Sequence, residues 1–153
     1  MPEPVPAEPP VPTLVPELVV SNLEQSLTFW VEVLGFRIRY DRPEHRFAYL
    51  EHEGAHVMLV ERRDPSHPRG ETWTGGALEA PFGRGINFQI AMTDIAAPRR
   101  ALERLGWPLF REPREAWYRK GAMEVGQQEL MIQDPDGYLV RLTQTLGQRP
   151  HTP

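Results

Sequence analysis

The chain has 153 residues, a hydrophobic fraction of 40% and a formal net charge of −4 at pH 7. This size is typical of one globular domain or of two fused half-domains, and the negative charge argues against nucleic-acid binding. The absence of cysteine excludes disulfides, thiolate nucleophiles and cysteine zinc sites and favours a cytoplasmic location, and no apolar run is long enough for a membrane span.

The first half of the chain predicts a βαβββ module at residues 13–62. Residues 1–12 are dominated by proline and predict a disordered or polyproline-II tail outside the fold. Residues 13–20 predict the first strand. Because Pro16 lacks a backbone N–H, this strand is expected at the edge of its sheet.

The helix of this module has recognisable boundaries. Ser21 and Asn22 are N-cap candidates, and Glu24 follows Ser21 at the spacing of a capping box. Gly35 marks the C-terminal end of the helix. Three short strands are predicted after it, at residues 36–40, 47–50 and 56–61.

The second half of the chain, residues 85–146, repeats this pattern. It is preceded by a linker, residues 63–84, whose length is typical of a functional loop or of a connector between two halves. Thr93 and Asp94 cap the second helix, which ends at Gly106. The predicted segments are a strand at 86–92, the helix at 95–105, and strands at 107–110, 127–133 and 138–144. A mixed stretch at 111–126 is expected to hold another strand, and residues 147–153 are a C-terminal tail.

The closing hairpin, QDPDGYLVRLTQ at residues 133–144, carries a specific signal. Pro135 and Gly137 suit the second and fourth positions of a type I turn. Two pairs of segments echo each other: NLEQSLTFWVEVLGF with DIAAPRRALERLGW, and EGAHVMLV with DGYLVRLT. Such self-similarity indicates a duplicated unit. We therefore expect an α+β domain in which two curved mixed sheets form a concave cup.

With the SNLEQSLTFWVEVLGF helix, the repeat and the QDPDGYLVRL ending, the chain resembles the vicinal oxygen chelate superfamily over about residues 13–146. This superfamily contains glyoxalase I, extradiol dioxygenases, fosfomycin-modifying enzymes and the bleomycin resistance proteins. The resemblance implies the glyoxalase/bleomycin resistance fold of paired βαβββ modules. It also implies a homodimer.

The resemblance defines four positions where the enzymes of the superfamily commonly bind a divalent ion through His, Gln or Glu. They lie on the first and last strand of each module and correspond here to Val15, Met58, Asn87 and Arg141. Asn87 is a poor ligand, and Arg141 cannot ligate a cation because it stays protonated. The resemblance therefore implies a site with no metal ion and no cofactor.

Two alternatives stay open at these positions. In a shifted register, Glu17, His56 and Glu61 would be metal ligands, as in a metal-dependent lyase, dioxygenase or transferase of the superfamily. Arg141 would either contact a ligand or pair with Glu17 or Glu129 across the sheet as a structural plug.

Without a metal, the chain looks most like the bleomycin resistance proteins, which sequester a drug in grooves at a dimer interface and make no bond. Phe47 matches a stacking aromatic residue of those proteins, and Tyr49 points the same way. Trp73, Trp117 and Tyr118 lie in stretches interpreted as irregular, where binding residues concentrate. The predicted ligand-binding residues also include Asn87, Gln89 and Arg141. The implied ligand is a planar or cationic organic molecule such as a bleomycin-type drug.

One departure from those proteins concerns a second stacking ring. Some of them have a tryptophan where this chain has residues 125–127, VGQ, so that Trp73 or Trp117 would have to supply the ring. Five other aromatic residues are predicted to be core, because they lie on helix faces or in strands beside them: Phe29, Trp30, Phe36, Trp107 and Phe110.

The sequence thus favours a cytoplasmic, dimeric, metal-independent small-molecule-binding protein that confers antibiotic resistance by sequestration. A metal-dependent enzyme of the same superfamily is the second hypothesis. The third is a non-catalytic interaction module whose cup is closed by side chains. A structure with no open pocket near Asn87 and Arg141 would favour that third hypothesis.

Overall fold

A computed structural model of the protein describes residue 1 and residues 10–153, so most of the predicted N-terminal tail lies outside the described residues. The chain forms two successive units with the same order of secondary structure. The first comprises β1 (Glu17–Val20), α1 (Leu23–Leu27) with a π-helical continuation (Thr28–Val33), β2 (Arg37–Arg42), β3 (Phe47–His52) and β4 (Ala55–Glu61). The second comprises β5 (Asn87–Ala91), α2 (Ala96–Leu105), β6 (Leu109–Lys120), β7 (Met123–Gln133) and β8 (Leu139–Pro150).

Each unit contributes one four-stranded mixed sheet, with strand orders β1-β4-β3-β2 and β5-β8-β7-β6. In both sheets the first strand pairs in parallel with the last, and the other pairs are antiparallel. This arrangement confirms the predicted α+β fold of two βαβββ modules. No helix of the described residues is long and apolar enough to cross a membrane.

The first strand lies at a sheet edge, as Pro16 predicts. Pro16 precedes the strand, and its carbonyl accepts a hydrogen bond of 2.8 Å from the Met58 N–H. The strand is shorter than expected and starts at Glu17, since a proline has no N–H to continue the ladder.

The capping box predicted at the first helix does not form. Asn22 is the N-cap, and its side chain accepts a hydrogen bond of 2.9 Å from the Gln25 N–H. Ser21 turns its own N–H to Asp136 in the other module, and the Glu24 carboxylate binds Arg46 instead of reaching back along the helix. Tertiary partners therefore outcompete the local motif.

The two modules share one hydrophobic core, which lies between the helices and the helix-facing sides of both sheets. Phe29, Trp30 and Phe36 are at most 2% exposed, and Trp107 packs against the same core, as predicted. Phe110 is 54% exposed, so its assignment to the core is wrong. Alternation along β6 turns Leu109 inward and Phe110 outward.

Two reciprocal hydrogen bonds join the modules, and we call them the junction contacts. The Ser21 N–H, just before α1, donates to the Asp136 carboxylate in the β7–β8 turn at 3.0 Å. The Thr93 N–H, just before α2, donates to the Glu53 carboxylate in the β3–β4 turn at 3.1 Å. Each module thus holds the start of the other module's helix with a turn carboxylate.

The β7–β8 turn forms as predicted, with the Gly137 N–H donating to the Asp134 carbonyl at 3.0 Å. The Asp134 carboxylate accepts from the N–H groups of Asp136 and Tyr138 and from the Trp30 indole N–H at 3.3 Å. Burial raises the pKa of Asp134 to about 6, although these hydrogen bonds act in the opposite direction. The turn therefore places a titratable group inside the junction.

The last three strands are long, at 12, 11 and 12 residues, and they extend beyond the core. Because residues 123–126 of β7 pair with residues 147–150, β8 continues to Pro150, past the expected end of the domain at 146. Trp117 and Tyr118 lie within β6, which confirms the further strand expected in residues 111–126; the placement of these two residues in an irregular stretch is wrong. The ladder with β7 makes this stretch regular.

Candidate functional site

The candidate site is the side of each sheet that faces away from the shared core, which we call the cup face of that sheet. Strand alternation assigns the residues to it. On the first sheet, a separate buried cluster lies there, formed by Val19, Phe47, Tyr49 and Val60. On the second sheet, the cup face includes Gln89, Glu129 and Arg141, whose sequence neighbours Ile90, Leu130 and Leu142 lie in the core.

The first cup face is aromatic. The rings of Tyr40 and Tyr49 stack with centroids 4.9 Å apart and an interplanar angle of 19°, and Phe47 lies 6.1 Å from Tyr40. Phe47 and Tyr49 are buried, whereas Tyr40 is 43% exposed. The open surface of this stack therefore belongs to Tyr40 rather than to the two predicted residues.

Tyr40 was missed because of an irregularity in the pairing of β2. The register shifts between Ile38 and Tyr40, so that Ile38 pairs with Leu50 and Tyr40 pairs with Tyr49. Simple alternation from the helix end does not place such a residue, because a bulge changes which face it occupies. Its only sequence signal is an aromatic residue in a strand otherwise rich in arginine.

Behind the stack, the hydroxyl of Tyr49 lies 2.7 Å from Nδ1 of His56. Burial raises the pKa of Tyr49, so it remains a neutral phenol that holds the imidazole. Nδ1 of His56 is therefore hydrogen-bonded to a residue of the protein itself on the cup face.

Two cavities adjoin the first cup face. The smaller, of about 150 Å³, lies against Phe47 and has the exposed ring of Trp73 among its walls, so the fold brings these two predicted residues together. The larger, of about 340 Å³, is a cleft between β4 and β5 whose polar groups are His56, Asn87 and Gln89. The site near Asn87 is thus open.

The second cup face is built around Glu129, which is only 1% exposed. Its carboxylate accepts hydrogen bonds from Arg114 Nε at 3.1 Å, Arg141 Nη1 at 3.1 Å, the Tyr118 hydroxyl at 2.8 Å and Gln127 Nε2 at 3.1 Å. Of the two partners considered for Arg141, the structure selects Glu129. The predicted residues Tyr118 and Arg141 therefore meet on one buried carboxylate.

The Glu129 network carries more positive than negative charge, since Arg111 also approaches the carboxylate at 3.7 Å. Burial alone would raise the pKa of Glu129, but the hydrogen bonds from Tyr118, Gln127 and the arginines outweigh it and lower that pKa. Glu129 is therefore ionised at neutral pH and neutralises part of the arginine charge.

The four positions that hold a metal in related enzymes do not fit one here. Val15 and Met58 pack against the buried cluster of the first cup face, and Arg141 is bound to Glu129. Asn87 supplies an amide only. Among the described residues, no three histidine, aspartate or glutamate side chains lie close enough together to bind a metal ion.

The alternative ligands Glu17, His56 and Glu61 do not converge. His56 and Glu61 are five positions apart on β4 and lie on opposite faces of the sheet. The Glu61 carboxylate accepts from the Leu23 N–H at 3.0 Å and from Arg46 at 2.6 Å on the helix side. No metal-dependent step can be derived from this set.

Trp117 lies apart from the other predicted residues. Its indole N–H donates to Glu115 at 2.6 Å, and the Arg149 guanidinium lies 4.0 Å from the ring centroid. The ring covers Gly126, where an added Cβ would approach it to 2.6 Å. Trp117 therefore packs on the long extension of the second sheet, next to the position where relatives were expected to have a tryptophan.

The fold and the cup faces define a paired βαβββ protein with an aromatic surface on one sheet and an arginine–carboxylate network on the other. The family model of the Glyoxalase/Bleomycin resistance protein/Dioxygenase superfamily matches residues 13–142. The chain belongs to this superfamily.

Solved structures include similar proteins. A superfamily member from Vibrio splendidus 12B01 is 32% identical over 85% of this chain and 95% of its own, with a TM-score of 0.38. TioX from Micromonospora sp. ML1 is 19% identical over 87% and 98%, with a TM-score of 0.62. A lactoylglutathione lyase from Agrobacterium tumefaciens is 18% identical over 90% and 96%, with a TM-score of 0.54. A search of curated proteins gave no match.

Proposed function

We propose that the protein binds a planar organic ligand at the first cup face, without a metal ion, and acts by sequestering it. The observation that carries this proposal is the half-exposed Tyr40 ring stacked on the buried Tyr49. Such a ring is already held in place, so a planar ligand can stack on it with little loss of side-chain freedom.

The second cup face supports a binding role rather than a metal-dependent one. At the position where related enzymes keep a metal ligand, Arg141 Nη1 donates to the Glu129 carboxylate, so this position holds a cation bound to a carboxylate. The space beside Asn87, of about 340 Å³, is within the range of small-molecule sites. These features favour non-covalent retention of a ligand.

The proposal extends to the assembly and the ligand class. The bleomycin resistance branch of the superfamily supplies the model of a homodimer that holds a drug in grooves between its two copies, and a bleomycin-type drug is therefore the first probe. The absence of cysteine favours a cytoplasmic location, and resistance by sequestration is the role proposed there.

The test is a titration of the protein with metal-free bleomycin, in which binding is measured by isothermal calorimetry and by tryptophan fluorescence. We expect saturable binding at micromolar concentration that is unchanged by a chelator, because no metal takes part. Tyr40→Ala should weaken binding roughly 2- to 12-fold, since one stacked pair contributes about 0.5–1.5 kcal/mol. Phe110→Ala, which removes an aromatic ring of similar exposure elsewhere, is the matched control.

Elemental analysis of protein purified without chelator separates this proposal from the enzymatic alternative. One tightly held divalent ion per chain, with binding lost on its removal, would support a lyase, dioxygenase or transferase. Equal affinities of the wild type and Tyr40→Ala would show that the ligand does not stack on Tyr40.

A further inference from the structure

The small cavity against Phe47 is lined by three arginines, Arg42, Arg63 and Arg69, and by one carboxylate, that of Glu17. The whole chain has a net charge of −4, so this accumulation of positive charge is local. Loops and strand ends bring the arginines together: Arg42 ends β2, and the other two belong to the segment after β4.

None of the three arginines forms a salt bridge with a residue that the structure describes. The Arg42 guanidinium lies 4.6 Å from the Phe47 ring centroid and 5.5 Å from that of Tyr40. Arg63 Nε donates to the Gly70 carbonyl at 2.9 Å, which leaves the other guanidinium nitrogens available. By contrast, the arginines of the second cup face already share the Glu129 carboxylate.

This arrangement suits an anionic group. A guanidinium presents parallel N–H donors that match a carboxylate or phosphate, and stacking on Phe47 and Tyr40 holds Arg42 in one orientation. A volume of about 150 Å³ is too small for a whole drug-sized ligand. It has room for the acidic end of a ligand whose planar part lies on Tyr40.

We infer that the planar ligand of the first cup face carries an anionic group, which Arg42, Arg63 and Arg69 receive in the cavity beside Phe47. The inference rests on the proposed function and specifies the charge of its ligand. A cationic group in this cavity would meet three like charges, so the inference narrows the ligand class of the proposed function. A cationic bleomycin-type drug can use the aromatic stack only with its charged part outside the cavity, and it should bind more weakly than a planar anion of matching shape.

The experiment compares three probes of one shape by calorimetry at low ionic strength: naphthalene-2-carboxylate, the neutral naphthalene-2-carboxamide and the cationic 2-naphthylmethylammonium. We expect the carboxylate to bind about tenfold more tightly than the amide, and the ammonium to bind more weakly than both. Higher salt should reduce this preference, because partly exposed charges are screened. Competition by inorganic phosphate or by acetate shows which kind of anion the cavity prefers.

The variant Arg69→Gln should weaken carboxylate binding about fivefold and leave amide binding unchanged. Arg99→Gln, on the exposed face of α2, removes the same charge elsewhere and should leave both affinities within about twofold. Urea midpoints of both variants check that they fold. Equal binding of all three probes, or preference for the ammonium, would overturn the inference and leave the proposed function standing. If none of the probes binds while bleomycin does, the inference fails and the proposed function stands; if bleomycin does not bind either, both fail.

Discussion

The two cup faces share a backbone plan and differ in how their side chains are satisfied. On the first sheet, Tyr40, Phe47 and Tyr49 form an aromatic stack beside a cavity lined by arginines. None of these arginines forms a salt bridge with a residue that the structure describes. On the second sheet, the charged groups converge on one buried carboxylate, Glu129. The two modules of one repeated fold thus carry a half-exposed aromatic surface and a buried polar network.

The comparison separates the residues that stabilise the fold from those proposed to bind a ligand. A buried carboxylate that accepts several charge-assisted hydrogen bonds is costly to disturb, because each partner then loses its acceptor. A half-exposed aromatic ring can be removed at little cost to folding. Substitutions on the second cup face should therefore reduce stability, and those on the first should reduce binding.

The largest expected effect comes from opening the closed network. Glu129→Gln removes the charge that Arg114, Arg141 and Tyr118 share, and we expect a loss of about 2–3 kcal/mol in the free energy of unfolding, since the partly exposed arginines regain some hydration. Urea denaturation measures it. The control is Glu103→Gln, which removes an exposed partner of Arg99 and should change stability by less than about 0.5 kcal/mol. Equal losses in the two variants would mean that burial of Glu129 has no energetic consequence.

The second effect is the pH dependence of stability, in which Asp134 at the junction differs from Glu129 on the second cup face. The pKa of Asp134 is raised to about 6 by burial, so the folded state holds a proton that the unfolded chain releases at lower pH. The stability that this proton provides is full below the unfolded value of 3.8 and is lost as pH rises through about 6. Glu129, with a lowered pKa, behaves oppositely: its contribution is present above 4.5 and is lost on acidification.

The variant Asp134→Asn separates these two contributions. It cannot ionise, so its stability relative to the wild type should improve by roughly 2 kcal/mol between pH 4 and pH 7. Urea midpoints measured across this range provide the test. A constant difference between the two proteins would show that Asp134 ionises in the fold as readily as in the unfolded chain.

The smallest effect comes from a matched pair of tyrosines, one on each cup face. Tyr118→Phe removes a hydroxyl that donates to the ionised Glu129 carboxylate, and Tyr49→Phe removes one that is hydrogen-bonded to Nδ1 of His56. We expect losses of about 1.5 and about 1 kcal/mol, because hydrogen bonds to charged groups contribute more. A larger loss from Tyr49→Phe would reverse the comparison of the two faces.

Much of the fold could be predicted because its signals are local. The type I turn at residues 134–137, the edge strand after Pro16 and the helix end at Gly106 each follow from the chemistry of one or two residues. The predicted site residues Asn87 and Gln89 also lie outside the core, since they alternate along β5 with Phe88 and Ile90.

The rest depended on contacts that no local pattern specifies. The bulge in β2 moved Tyr40 onto the aromatic stack, and the loop after β4 carried Arg63 and Arg69 to a strand end. Ser21 exchanged a predicted capping role for a contact with the other module. Such positions are determined by the distant part of the chain against which they pack, and a single sequence does not reveal that partner.

The junction contacts have a consequence for how the two halves can diverge. Asp136 accepts a hydrogen bond at the start of the first helix, and Glu53 accepts one at the start of the second. Each turn carboxylate therefore positions the helix of the other module rather than that of its own. Loss of either carboxylate in one module would leave the N–H group at the start of the other module's helix without its acceptor. The same kind of contact therefore occurs twice at the boundary between the modules, whereas the two cup faces carry different chemistry, one aromatic and one built on a buried carboxylate.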